Sequence, residues 1–133
     1  FSIAKANYPP FSDLNTHCIY QVDTYLTEPH AGRANFGVTL PKLSVDNAET
    51  FDADILLFRA EFKKVEDYLE RNKTAEKVTK EIAHLTDFTI LHELGHLLGL
   101  DHQFTGVNSI MSYDSKLEVK LYPYDIEAIQ HLY

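Results

Sequence analysis

The chain has a single cysteine, no tryptophan, and only five glycines and five prolines in 133 residues. A lone Cys18 excludes an intramolecular disulfide. No apolar run approaches the ~18 residues of a membrane span, so no transmembrane helix is expected. Basic residues are also scarce. Twelve Lys and Arg stand against twenty Asp and Glu, a formal charge of −8. That deficit argues against nucleic acid or an anionic membrane surface as partner, because both attract basic patches. There is no internal repeat, low-complexity tract or inter-domain linker. What remains is a globular composition, 44% hydrophobic and 24% charged, at a length suited to one domain. Without a disulfide, stability must come from the core, a metal or a partner, and in a chain this small a metal contributes materially.

Residues 1–16 read as an extended lead-in, with breakers at Pro9-Pro10 and Ser12-Asp13. From His17 to Leu26, residues Cys18, Tyr20, Val22 and Leu26 fall on one face at period two, which predicts a strand. A short strand is expected at Phe36–Leu40, and the acidic stretch from Asp46 to Asp54 reads as a solvated loop. Ile55-Leu56-Leu57-Phe58 is a short apolar run, expected to be a strand buried on both faces. Phe58, Phe62, Val65 and Leu69 then recur at helical spacing with charged residues between them. After a break near Asn72-Lys73-Thr74, Val78, Ile82 and Leu85 repeat the pattern. Thr86 or Asp87 is expected to cap a further helix running through Leu98 and ending at Gly99. A loop follows to about Lys120, and the tail predicts a closing helix with Pro123 in its first turn and Ile126, Ile129 and Leu132 as its apolar positions.

The informative segment is His92-Glu93-Leu94-Gly95-His96-Leu97-Leu98-Gly99-Leu100-Asp101-His102. On a helix, residues four apart share a face, so His92 and His96 can bind one cation. Glu93 lies one residue round, within reach of a water on that cation without being a ligand. Gly99 can adopt the left-handed conformation that turns the chain back and presents His102 as a third nitrogen. Three imidazoles and an open position are a catalytic zinc arrangement, whereas structural sites are closed by four protein ligands. Asp101 is the alternative third ligand, but the spacing puts His102 in register. Gly95, inside the helix, implies close approach of another element beneath the site.

This stretch fits the HExxHxxGxxH pattern and resembles the metzincin zinc peptidases. Met111, nine residues after His102 in Ser109-Ile110-Met111-Ser112-Tyr113, is similar to their Met-turn. Within that group the chain most resembles the matrixins. Phe51-Asp52-Ala53-Asp54-Ile55 is similar to their Ala-Asp-Ile strand, and Asp125-Ile126-Glu127-Ala128-Ile129-Gln130-His131-Leu132-Tyr133 to their C-terminal helix. The resemblance implies Zn²⁺ on His92, His96 and His102, with Glu93 as general base. It implies Met111 as a hydrophobic floor under the ligands, a protein or peptide substrate lying antiparallel to a sheet edge, and a secreted or extracytoplasmic location. The start, Phe1-Ser2-Ile3-Ala4-Lys5, has no signal-peptide layout. Tyr113 stands where matrixins carry Pro and astacins and serralysins carry Tyr. Two readings of it stay open: a structural tyrosine, or a helper that stabilises the transition state. A charged helical segment over 58–86 replaces the usual antiparallel edge strand and substrate loops, and no long first helix is evident before the Ala-Asp-Ile strand.

The expected fold is α+β, or α/β-like: a small twisted mixed sheet, mostly parallel, on the 86–99 helix, with the closing helix beneath the site. Residues 1–133 are expected to form one catalytic domain, with 1–85 as a sheet and helical subdomain and 86–133 carrying the metal site. Cys18 does not match a latency switch and reads as a buried strand residue. Asp46, Glu49, Asp52 and Asp54 show no dense oxygen-ligand spacing, so Ca²⁺ is not indicated. His17, His30, His84 and His131 are scattered and read as non-ligands. Two other readings compete with a peptidase: a catalytically silent zinc-bearing module that binds a partner through 58–86, and a hydrolase of non-protein amides.

Overall fold

A computed structural model describes residues 2–5, 18–23, 35–43, 50–114 and 116–133. The architecture is α+β. By contacts it divides into two compact units, Phe1–Lys73 and Thr74–Tyr133.

The first unit holds a four-stranded sheet of β1 (Ser2–Lys5), β2 (Cys18–Val22), β3 (Gly37–Leu43) and β4 (Thr50–Phe58), in the order β1-β2-β4-β3. β1 with β2 and β2 with β4 are parallel pairs, the latter in register Ile19 to Ile55 and Tyr20 to Leu56. β3 runs antiparallel to β4 at the edge. An antiparallel edge strand is therefore present, placed before the Ala-Asp-Ile strand in the chain. Pro41 fits there, because an edge strand tolerates a residue with no N–H to give.

Central position explains why β4 is buried from Ala53 through Phe58. Cys18, Tyr20, Val22, Leu56 and Phe58 form one core cluster, with Val38 and Leu40 packed on it. Each large apolar side chain so buried contributes about 1.5–3 kcal/mol. β4 also begins earlier than its apolar run. Asp54, expected in a solvated loop, lies inside the strand and is 2% exposed. Its carboxylate accepts the Cys18 backbone N–H at 3.2 Å. Asp46 and Glu49 lie outside the described residues, as do His17, His30 and Leu26.

Helix α1 (Arg59–Glu70) buries Phe62 and Leu69, and Phe62 meets Phe36 at 5.2 Å between ring centroids. Its start is tied to the sheet unit by Phe58 N–H to Phe36 O and Ala60 N–H to Asp23 O. Lys63 pairs with Glu66 and Asp67 on the exposed face.

The second unit holds α2 (Ala75–Leu97) and α3 (Pro123–Leu132). The break expected at Thr86 or Asp87 is absent: α2 is one 23-residue helix. Thr86 does not cap, because its hydroxyl donates to Ile82 O one turn back at 2.8 Å, as Thr89 does to Leu85 O. No proline interrupts the run, so the first half of α2 continues in phase into the histidine segment. Among the described residues, no helix is long and apolar enough to cross a membrane.

α3 also departs from expectation. Ile126 and Leu132 are exposed, while Asp125 is fully buried and Ala128 and Ile129 pack on the core cluster of Phe88, Leu100, Ile110 and Met111. Ile129 faces inward as expected, but Asp125 and Ala128 share that face in place of Ile126 and Leu132, because a carboxylate anchors the start of the helix.

Candidate metal centre

His92 and His96 lie on one face of α2, their rings 4.9 Å apart and nearly perpendicular. The helix ends at Leu97, and Gly99 turns the chain with φ of +89°. Gly99 N–H bonds to His96 O and Leu100 N–H to Gly95 O, which satisfies carbonyls of the last turn. The loop beyond brings His102 back, 4.5 Å from His96 and 5.2 Å from His92 between ring centroids.

One ring nitrogen from each of the three histidines lies within 4.8 Å of the other two, and this is the one such group among the described residues. Asp101 is exposed and outside it. His84 lies beside Phe88 and His131 is exposed, and neither joins the group.

The carbonyl partners determine which nitrogens are available. His92 Nδ1–H donates to Ile110 O at 2.7 Å, and His96 Nδ1–H donates to Leu100 O at 2.8 Å. A carbonyl can only accept, so each ring has a proton on Nδ1, which leaves Nε2 as the nitrogen available to an ion. His96 Nε2 and His102 Nε2 face each other at 3.0 Å. Tetrahedral zinc with Zn–N of about 2.0–2.1 Å places its nitrogens about 3.3 Å apart, close to the His96–His102 spacing, and all three donors lie within 4.8 Å of one another.

His92 is already in the form a metal requires. Burial, seconded by His96 and His102, lowers its pKa from 6.5 to about 4, against the opposing effect of the Ile110 hydrogen bond. In metal-free protein the unfolded chain binds a proton at this residue between pH 6.5 and 4 while the native state does not. Stability therefore falls as pH drops through that window, by roughly 3 kcal/mol from His92 alone. Urea unfolding in chelator at pH 7 and pH 4.5 should show this loss, reduced in His92→Gln.

Met111 and Gly95 form the underside. Met111 is 1% exposed, and a Cβ on Gly95 would meet its sulfur at 2.3 Å. The close approach implied by a helix-interior glycine is therefore the Met111 side chain, packed one residue before His96. Glu93 is buried on α2 beside His92.

The residue missed by sequence reasoning is Asp125. Its carboxylate accepts the Ser109 hydroxyl at 2.5 Å, Ile110 N–H at 3.0 Å and Tyr122 N–H at 2.8 Å. Ser109 Oγ in turn accepts Met111 N–H at 2.9 Å. One carboxylate thus joins the N-terminus of α3 to the turn whose carbonyl holds His92. Its signal was weak: the acid stands three residues after an N-cap position occupied by Tyr122 rather than Ser or Thr.

Tyr113 is 56% exposed and its hydroxyl lies 3.1 Å from His102 Nδ1. Phe104, also exposed, sits 5.7 Å from Tyr113 and 5.9 Å from His102 between ring centroids.

Comparisons with curated proteins and with solved structures found no match. The family profile described as Matrixin matches residues 24–133. The match spans most of the chain, including the three histidines and the turn that carries Met111, and the chain belongs to the matrixin family.

Proposed function

We propose that this chain is a zinc-dependent endopeptidase, exported from the cytoplasm as its family generally is. The observation that carries the reading is the convergence of three imidazoles, two with Nδ1 committed to a carbonyl, beside a buried glutamate that is not among the grouped donors. His92, His96 and His102 would hold the ion. When bound, zinc lowers the pKa of a water toward ~7 and polarises a carbonyl. Glu93 takes the proton of the attacking water and returns it to the leaving nitrogen. Burial of Glu93 keeps bulk water from competing for that proton. Met111 supports the helix turn between the two α2 histidines. Three protein donors leave room for a substrate, which a four-ligand structural site would not.

A silent binding module has less support. Residues 75–86 of the 58–86 segment are the first half of the helix that presents His92 and His96, which leaves α1 as its separate helical part.

Digestion of a general peptide library by the purified chain tests the reading. Cleavage should occur, stop with a zinc chelator and return on adding zinc. An intact library in the presence of bound zinc would contradict the peptidase assignment.

A further inference from the structure

We infer that Tyr113 is a positioning residue for the third metal ligand, acting through His102 Nδ1. The inference rests on the proposal that the triad holds zinc, and deepens it. Each of the three rings has a contact at Nδ1. For His92 and His96 the partner is a backbone carbonyl, fixed by the turn and by the helix end. For His102 it is the Tyr113 hydroxyl at 3.1 Å.

That difference matters physically. Once Nε2 of a neutral imidazole faces a cation, its proton must reside on Nδ1, which then donates. The Tyr113 oxygen is placed to accept it, which fixes the rotation of the ring with Nε2 turned to the ion. His102 needs such help more than the other two. His92 and His96 project from the same helix, whereas His102 lies in the loop beyond Gly99, held by no helix or strand. The rings reinforce the hydrogen bond: Tyr113 lies 4.7 Å from His102, and Phe104 flanks both. Gln103, buried between His102 and Phe104, pins the loop through its N–H to Met111 O at 2.9 Å and its side chain to Thr105 N–H at 2.6 Å. The loop is thereby tied to the same turn that leads into Tyr113.

The arrangement separates two roles. A tyrosine that stabilises the transition state acts on turnover and leaves metal affinity alone. A tyrosine that orients His102 acts on metal affinity first. Removing an outer partner of a metal-bound histidine weakens the metal about 10–100-fold, and the exposure of Tyr113 sets the lower end, since water can replace its hydroxyl.

The test is Tyr113→Phe in the full chain, read by zinc titration against a chromophoric chelator. The zinc dissociation constant should rise about ten-fold, with the unfolding midpoint of the metal-free protein unchanged because the ring remains. Activity lost at limiting zinc should be recovered as free zinc is raised. An unchanged dissociation constant overturns the inference, and so does a turnover deficit that zinc does not relieve. The titration needs no peptidase activity. An inactive wild-type chain whose zinc affinity still falls on substitution would leave this inference standing and remove the proposed activity instead.

Discussion

Glu93→Gln should bind zinc as the unaltered chain does and cleave peptides about 10²–10⁴-fold more slowly. Glu93 follows His92 on α2, so it lies about 100° round the helix from the ligand. It neighbours the site without joining the grouped donors. Glutamine has nearly the same shape and keeps a hydrogen-bonding carbonyl, so helix packing is preserved. What disappears is a basic oxygen that can take a proton from water. Metal analysis and kcat/KM on a peptide drawn from the library digest measure both halves. Activity within ten-fold of the parent in a pure preparation would remove Glu93 from the mechanism.

The second large effect is on stability. Asp125→Ala should cost about 3–6 kcal/mol in the metal-free protein, because Ile110 N–H, Tyr122 N–H and the Ser109 hydroxyl lose one shared acceptor in a buried place. Domains of this kind have only about 5–15 kcal/mol in hand, so a partly unfolded population is expected near neutral pH. Asp125→Asn should be milder, about 1–2 kcal/mol. Its carbonyl can still take both amides, and its NH₂ can donate to Ser109 Oγ. Urea unfolding of both variants in chelator gives the comparison. Equal midpoints for Ala and Asn would mean the carboxylate bonds are not what anchors α3.

The contrast between Asp125 and the histidines shows what the amino-acid order makes legible. Positions separated by one helical turn are a local property, so His92 with His96, Gly99 at the turn and the α1 stripe of Phe62 and Leu69 follow from spacing. β4 was legible in its apolar half, Ile55–Phe58. Its first half was legible only in the likeness of Phe51–Ile55 to the Ala-Asp-Ile strand, because by composition Asp54 looks like a loop residue until β3 pairs alongside and the Cys18 N–H arrives from β2. That pairing is non-local, and no local pattern announces it. Thr86 misled for a different reason. Its hydroxyl caps a helix in one conformation and back-bonds to Ile82 O in another, and residue type alone does not choose. In α3, Ile129 was legible but Ile126 and Leu132 misled, since hydrophobicity favoured Ile126 while three hydrogen-bond donors favoured Asp125. The partners of the ligand rings, Ile110 O, Leu100 O and the Tyr113 hydroxyl, likewise depend on the fold around the loop.

Anomalous diffraction at the zinc edge, from crystals of the chain grown with one equivalent of zinc, bears most directly on the central claim. The account predicts a single strong peak about 2.0–2.1 Å from Nε2 of His92, His96 and His102, with Nδ1 of the first two still on the Ile110 and Leu100 carbonyls and no fourth protein ligand. A peak elsewhere, or one closed by a fourth side chain, would contradict it.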